Sequence, residues 1–179
     1  MILVRIDRIK GDVKITGYFD WFVADSFDFS IGKKVESLDA NNRDIEVVKD
    51  NDQELTISKS VDSATVYLMH SVMKGRKDSG DSSKCNVDIH LIQNKNMDEG
   101  IGMQPFLLIR IEDAIIKDWD ISGSGDDRPT ETVKIWFNKA AMKYRATMDG
   151  KIYVAHGPLG WDGHDNKDFK PANLMKDNY

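Results

Sequence analysis

Apolar and polar residues alternate at every second position through most of the patterned stretches of this chain. Residues 26–31 read Ser-Phe-Asp-Phe-Ser-Ile, which places both phenylalanines on one face. Residues 84–91 alternate in the same way, with Asp88 and His90 on the polar face. Successive side chains of a β-strand point to opposite faces, so a period of two is the signal of a strand. The pattern predicts a mainly β protein whose antiparallel sheets have one core face and one wet face.

The alternation changes phase near Asn138 and Lys139. Residues 133–137 are apolar at odd positions, whereas residues 140–146 are apolar at even positions. A β-bulge shifts the phase by one residue and bends the strand that contains it. The sequence therefore predicts a long bent strand, which suits a barrel or a strongly coiled sandwich.

One segment has helical spacing instead of alternation. Its apolar residues recur at every fourth position and are Ala64, Leu68 and Val72. Asp62 is the predicted N-cap, and Gly75 is predicted to follow the helix as its C′ residue. We expect one helix that flanks the sheets, at about residues 62–74.

The length and net charge of the chain indicate how many domains it has and which kinds of partner it can bind. The chain has 179 residues, a usual size for a single core, and a formal net charge of −5 at pH 7. Nucleic acids and anionic membranes require a basic surface, so neither is a predicted partner. No stretch reaches 18 apolar residues, and charges at residues 5–8 leave no apolar core for a cleaved signal peptide. The single cysteine, Cys85, lies on the apolar face of its stretch and is predicted to be a buried, inert thiol.

Residues 122–130 form a Gly-rich stretch that could suggest a phosphate-binding loop. The stretch lacks the Gly-Lys-Ser/Thr ending of such loops, and the carboxylates of Asp126 and Asp127 would repel a phosphate. Glycine and aspartate are also common in turns. We therefore predict a tight connection between two strands.

No catalytic, cofactor or metal site is predicted. Asp162, His164, Asn166 and Asp168 alternate as possible metal ligands, but they lie in a polar segment without a scaffold to bring them together. The four histidines are scattered and none has the context of a catalytic base; His70 and His90 are predicted surface or boundary residues. These residues indicate a binding or structural module rather than an enzyme.

Several stretches, taken in order along residues 1–162, resemble the hemolysin-coregulated protein (Hcp) family. They are residues 6–11, 55–59, 61–65, 68–69, 75–77, 122–131, 133–137, 143–144 and 160–162. The strongest match is SGSGDDRPTE at 122–131, together with the strand that follows it. The resemblance implies a partly closed antiparallel β-barrel of two sheets flanked by the helix. It divides the chain into a barrel domain at residues 1–162 and a polar C-terminal tail at 163–179. Residues 160–179 contain few apolar residues, so much of this end is expected to be mobile.

The resemblance also implies a function. Proteins of this family form six-membered rings that stack into the tube of the bacterial type VI secretion system. The expected partners are other copies of the chain, the spike protein (VgrG), the contractile sheath and effector proteins carried in the ring's lumen. The protein would be made in the bacterial cytoplasm and secreted to the extracellular space or a target cell without a cleaved signal. The strand that matches residues 26–31 lines the lumen in the family, so Ser26, Asp28 and Ser30 are the lumen-facing candidates.

A second interpretation comes from a different class of protein. An isolated β-sandwich could bind a sugar or an ion through Trp161, His164 and nearby carboxylates. A ring former should have a mass in solution several times that of one chain, whereas such a sandwich need not.

Overall fold

The computed structural model describes residues 1–32, 34–37, 45–48, 53–74, 84–93, 104–148 and 151–175. Within these ranges the chain is mainly β, as predicted. The strands are β1 Ile2–Ile6, β2 Phe22–Ala24, β3 Ser26–Ile31, β4 Lys34–Ser37, β5 Ile45–Val48, β6 Gln53–Ser60, β7 Cys85–Gln93, β8 Gln104–Ser122, β9 Thr130–Trp136, β10 Lys139–Met148, β11 Lys151–Asp162 and β12 Lys167–Asp168. The helices are α1 Thr65–Met73 and α2 Ala172–Met175.

Two antiparallel sheets share strand β8. The first sheet has the order β12-β11-β10-β8-β7-β1-β2, and the second runs β8-β9-β6-β3. At the opposite corner only Asp25 separates β2 from β3, and its N–H donates to the carbonyl of Ser58 at 2.8 Å. Among the described strands, hydrogen-bonded pairing does not close the two sheets into a complete barrel. This arrangement confirms the predicted two-sheet, partly closed barrel.

The corner between the sheets lies where the phase of the sequence changes. Trp136 pairs with Ile115 and Lys139 pairs with Glu112, so one register continues across the gap between β9 and β10. The predicted bend near Asn138 is therefore present. The structure corrects its form, because the chain breaks into two strands there instead of keeping a bulge within one strand. The two halves can then join different sheets.

The main core fills the space between the two sheets and α1. Leu68 is fully buried in it, and Ala64 and Val72 pack with it, so the predicted helical spacing is confirmed. Each large apolar side chain buried in this way contributes roughly 1.5–3 kcal/mol. The N-cap prediction was wrong by two residues, since the cap is Ala64. Asp62 instead accepts the N–H of Ala64 at 2.8 Å, while Gly75 lies outside the described residues.

The outer face of β7 is not exposed to solvent, contrary to prediction. Asp88 and His90 are each only 2% exposed. The segment between β1 and β2 folds over them and buries Tyr18 and Trp21 in a small second core. A covering loop far away in sequence leaves no trace in the alternation of β7, which is why its polar residues were assigned to the surface.

Part of the predicted C-terminal tail packs on the first sheet. Strand β12 pairs with β11, and Leu174 is fully buried beside Leu108 and Ala141. The Lys143 ammonium donates to the carbonyl of Leu174 at 3.1 Å. Residues 163–175 are therefore attached to the barrel rather than free of it. The division into two units at residue 162 stays a prediction.

Candidate assembly surfaces

The three lumen-facing candidates lie together on one exposed face of β3. Ser26, Asp28 and Ser30 are exposed, while Phe27 and Phe29 turn inward and pack against the core. The ring of Phe29 stacks on that of Phe137, with centroids 5.2 Å apart. The alternation predicted this division correctly. Which side of an assembly the face lines stays a prediction.

The neighbouring strands extend this polar face. Directly opposite residues of paired strands point to the same side of a sheet. Asp28 pairs with Thr56, which pairs in turn with Lys134. We call this surface the polar face of the second sheet. Trp136, Ser60 and Thr130 lie at its ends, and its other members on β3, β6 and β9 are Ser26, Asp28, Ser30, Glu54, Thr56, Ser58, Thr132 and Lys134.

Carboxylates outnumber lysines on and beside this face. The Lys117 ammonium donates to the carboxylate of Glu54, and this hydrogen bond lowers the pKa of Glu54. The Lys134 ammonium lies 3.5 Å from the Asp118 carboxylate. The exposed Asp28 carboxylate adds negative charge to these two pairs. The polar face is therefore acidic.

A buried ion pair joins the second sheet to α1. Lys59 and Glu131 occupy core-facing positions, in phase with the buried Ile57 and Val133 on the same strands. The Lys59 ammonium donates to Glu131 at 2.5 Å, and the Thr65 hydroxyl donates to the same carboxylate at 2.8 Å. Sequence reasoning missed this pair. Its signal was present as two charged residues at positions where the alternation calls for apolar ones.

Strands β10 and β11 carry an exposed apolar surface. Met142 pairs with Leu159, and Tyr144 pairs with His156 and stacks against its ring. Met142 also pairs with the fully buried Ile109 of β8, so the surface continues the core face of the first sheet. We call it the hairpin apolar face; its large exposed residues are Met142, Tyr144, Val154, Leu159 and Trp161. Of these, sequence reasoning had singled out only Trp161, as a sugar-binding residue.

The residues of the alternative sugar or ion site do not share a surface. Trp161 is half exposed on the hairpin apolar face, whereas its neighbour Asp162 is buried on the opposite side. The Asp162 carboxylate accepts the N–H groups of His164 and Asp165 at 2.9 and 3.1 Å and lies 3.2 Å from the Lys139 ammonium. In the part of the chain that the structure describes, no three His, Cys, Asp or Glu side chains are placed to hold a metal ion.

Three further predictions concern single features. The Gly-rich residues 122–130 connect β8 to β9, with Ser122 paired with Thr130, as predicted. Cys85 is buried as predicted, and desolvation raises the pKa of its thiol to about 11, so the thiol stays protonated. His70 is exposed as predicted, whereas His90 is buried. Among the described helices, none is long and apolar enough to cross a membrane.

The chain matches one known protein family, and its fold is similar to that of several solved structures. The family described as "Type VI secretion system effector, Hcp" matches residues 3–144. Among curated proteins, none matches this chain. A solved structure described as a type six secretion system protein is 17% identical, with a TM-score of 0.74, and the match covers 94% of this chain and 98% of that one. Hcp1 from Salmonella typhimurium is 18% identical, with a TM-score of 0.66 and coverage of 94% and 97%. A chain of the sheath-tube complex of an extracellular contractile injection system is 11% identical, with a TM-score of 0.53 and coverage of 80% and 88%.

Proposed function

This chain belongs to the Hcp family of type VI secretion system proteins, and from that membership we propose that it is the subunit of a secreted tube. Six copies form a ring, and rings stack inside the contractile sheath. The observation that carries the proposal is the family match over residues 3–144, on a fold shared with a chain of an injection-system sheath-tube complex. The family is one of structural tube proteins, so we assign no catalytic residue and no cofactor.

The surface of the barrel supports self-assembly. A closed ring needs a heterologous contact, in which two different surfaces of the same chain meet. The hairpin apolar face exposes Tyr144, Leu159 and Trp161 on the continuation of a core face. Aromatic residues and methionine are enriched at protein interfaces and charged residues are depleted there, so this composition favours a contact between subunits.

The polar face of the second sheet forms the lumen wall in this proposal. Ser26, Asp28 and Ser30 keep the wall hydrated, and six copies of Asp28 make an acidic girdle. An acidic wall favours effectors with a basic surface, and salt weakens that preference by screening. The further partners are the spike protein (VgrG), the sheath and the effectors, with no role for nucleic acid or membrane insertion.

Secretion by the contractile machine tests the proposal in the bacterium that makes this chain. Immunoblots should detect the protein in the culture medium of cells with an intact sheath. Deleting the sheath gene should remove it from the medium while leaving its cellular level unchanged. Equal amounts in the medium of both strains would contradict a tube function.

A further inference from the structure

The outward side of helix α1 is apolar and exposed. Successive helical residues are 100° apart, so Val66, Met69 and Met73 lie within about 60° of one another. Val66 and Met73 lie about 140–160° from the buried Leu68, and Met69 lies about 100° from it. Val66 and Met73 are 59% and 74% exposed. The helix sequence, TVYLMHSVM, contains no Asp, Glu, Lys or Arg. We call these three residues the α1 stripe.

A solvated helix face normally carries charged residues. The exposed residues of α1 are instead two methionines, a valine and a tyrosine, together with the polar His70 and Ser71. Depletion of charge together with enrichment in Met and Tyr is the composition of a protein interface. The α1 stripe therefore has the properties of a surface that becomes covered.

The hairpin apolar face is a second surface that the described part of the chain leaves uncovered. Its five large side chains are between 38% and 73% exposed. An aromatic side chain has roughly 150–250 Å² to bury and the other three side chains have less, so the exposed fractions together present several hundred Å² of apolar surface. That is about half of the roughly 800 Å² that each partner contributes to a standard interface. A contiguous patch of this size matches the largest apolar patch of a typical monomer, and such patches are often functional.

The first sheet itself indicates what kind of element fits this face. Helix α1 packs on β8, and its Leu68 is buried in the same core cluster as Ile109 of the first sheet. Two strands further on, at Leu159, the same face has no cover from the described residues. An apolar helix surface is thus the natural occupant of the hairpin apolar face. The α1 stripe supplies such a surface, and it belongs to the same chain.

We propose that the α1 stripe of one copy packs on the hairpin apolar face of the next copy around the ring. This assignment rests on the proposed function, because it identifies the two surfaces that a heterologous ring contact requires. Each copy then contacts one neighbour through its α1 stripe and the other neighbour through its hairpin apolar face. Met73 and Leu159, the most exposed large apolar residues of the two surfaces, lie at the contact.

Two single variants test the assignment, and each variant disrupts only one of the two surfaces. Met73→Asp damages the α1 stripe and leaves the hairpin intact, while Leu159→Asp does the reverse. Ile121→Asp is the matched control, since Ile121 is an apolar residue that is 49% exposed and belongs to neither of the two surfaces. Native mass spectrometry at tens of micromolar gives the assembly state. Thermal melting checks that every variant is folded, which is expected because all three positions are exposed.

The expected result has three parts. Wild type and Ile121→Asp form rings, and each of the other variants alone is a folded monomer. An equimolar mixture of Met73→Asp and Leu159→Asp forms dimers, because the intact stripe of one variant meets the intact hairpin of the other. Rings formed by either damaged variant, or dimers formed by one variant alone, would overturn the pairing while leaving the tube function standing. A monomeric wild type would instead contradict the tube function itself.

Discussion

The Lys59 ammonium nitrogen lies 2.5 Å from a carboxylate oxygen of Glu131, and both side chains are fully buried. The carboxylate also accepts the indole N–H of Trp119 at 2.6 Å, and the ammonium lies 2.7 Å from Asp62. The pair thus links β6, β8 and β9 to the turn that starts α1. Because desolvation offsets much of the attraction within a buried pair, its main effect is to make the loss of either partner costly.

The two partners should differ in how much their loss costs. In Lys59→Met the Glu131 carboxylate stays buried without a cation, and stability should fall by about 3–5 kcal/mol. In Glu131→Gln the ammonium keeps Asp62, so the loss should be about 1–3 kcal/mol. Urea unfolding measures both free energies.

The matched control is an exposed pair on the same sheet. Lys134 and Asp118 lie 3.5 Å apart with both side chains substantially exposed, so Lys134→Met should change stability by less than about 1 kcal/mol. A loss in Lys59→Met no larger than in Lys134→Met would show that the buried pair does not hold α1 in place.

His90 should make the fold sensitive to acid. The pKa of His90 is lowered from its ordinary 6.5 to about 4, chiefly by burial beneath Tyr18 and Trp21. Asp88 opposes this shift, and Arg5 and Arg145 contribute smaller lowering effects. The unfolded chain therefore binds this proton first as the pH falls. Stability from the neutral ring is complete above about pH 6.5 and declines between pH 6.5 and pH 4, by about 1.4 kcal/mol per pH unit.

The variant His90→Gln isolates this contribution, since glutamine can still form a hydrogen bond with the Tyr18 hydroxyl but does not titrate. Between pH 7 and pH 5 the wild type should lose about 2 kcal/mol more unfolding free energy than the variant. Carboxylates elsewhere titrate in both proteins and cancel in the comparison. Identical pH profiles for the two proteins would show that burial does not hold His90 neutral.

Asp28 should influence cargo without influencing assembly. The variant Asp28→Arg replaces the proposed acidic girdle with a basic one, so rings should form but should retain basic effectors several-fold less well at low salt. Asp126→Arg, an equal charge change in the exposed β8–β9 connection, serves as the control. Mass spectrometry of effectors that copurify with tagged rings, at low and high salt, measures retention. Equal recovery by wild-type and Asp28→Arg rings would mean that Asp28 only hydrates the wall.

Local patterns predicted the elements of this fold, and distant contacts account for what they missed. The spacing of Leu68 with its apolar neighbours identified α1, and the phase change at Asn138 identified the corner of the barrel. The same reasoning assigned His90 to the surface, because its cover comes from Tyr18, which is 72 residues away in the chain. The alternation that isolated Asp28 on β3 says which residues share a face, but not what that face meets in an assembly.

The native mass of the purified wild-type chain tests the central claim most directly. One chain has a mass of 20.3 kDa. At tens of micromolar, native mass spectrometry should show a species of six times that mass, and negative-stain images of the same sample should show rings with an open centre. A protein that remains a monomer under these conditions would contradict its assignment as a tube subunit.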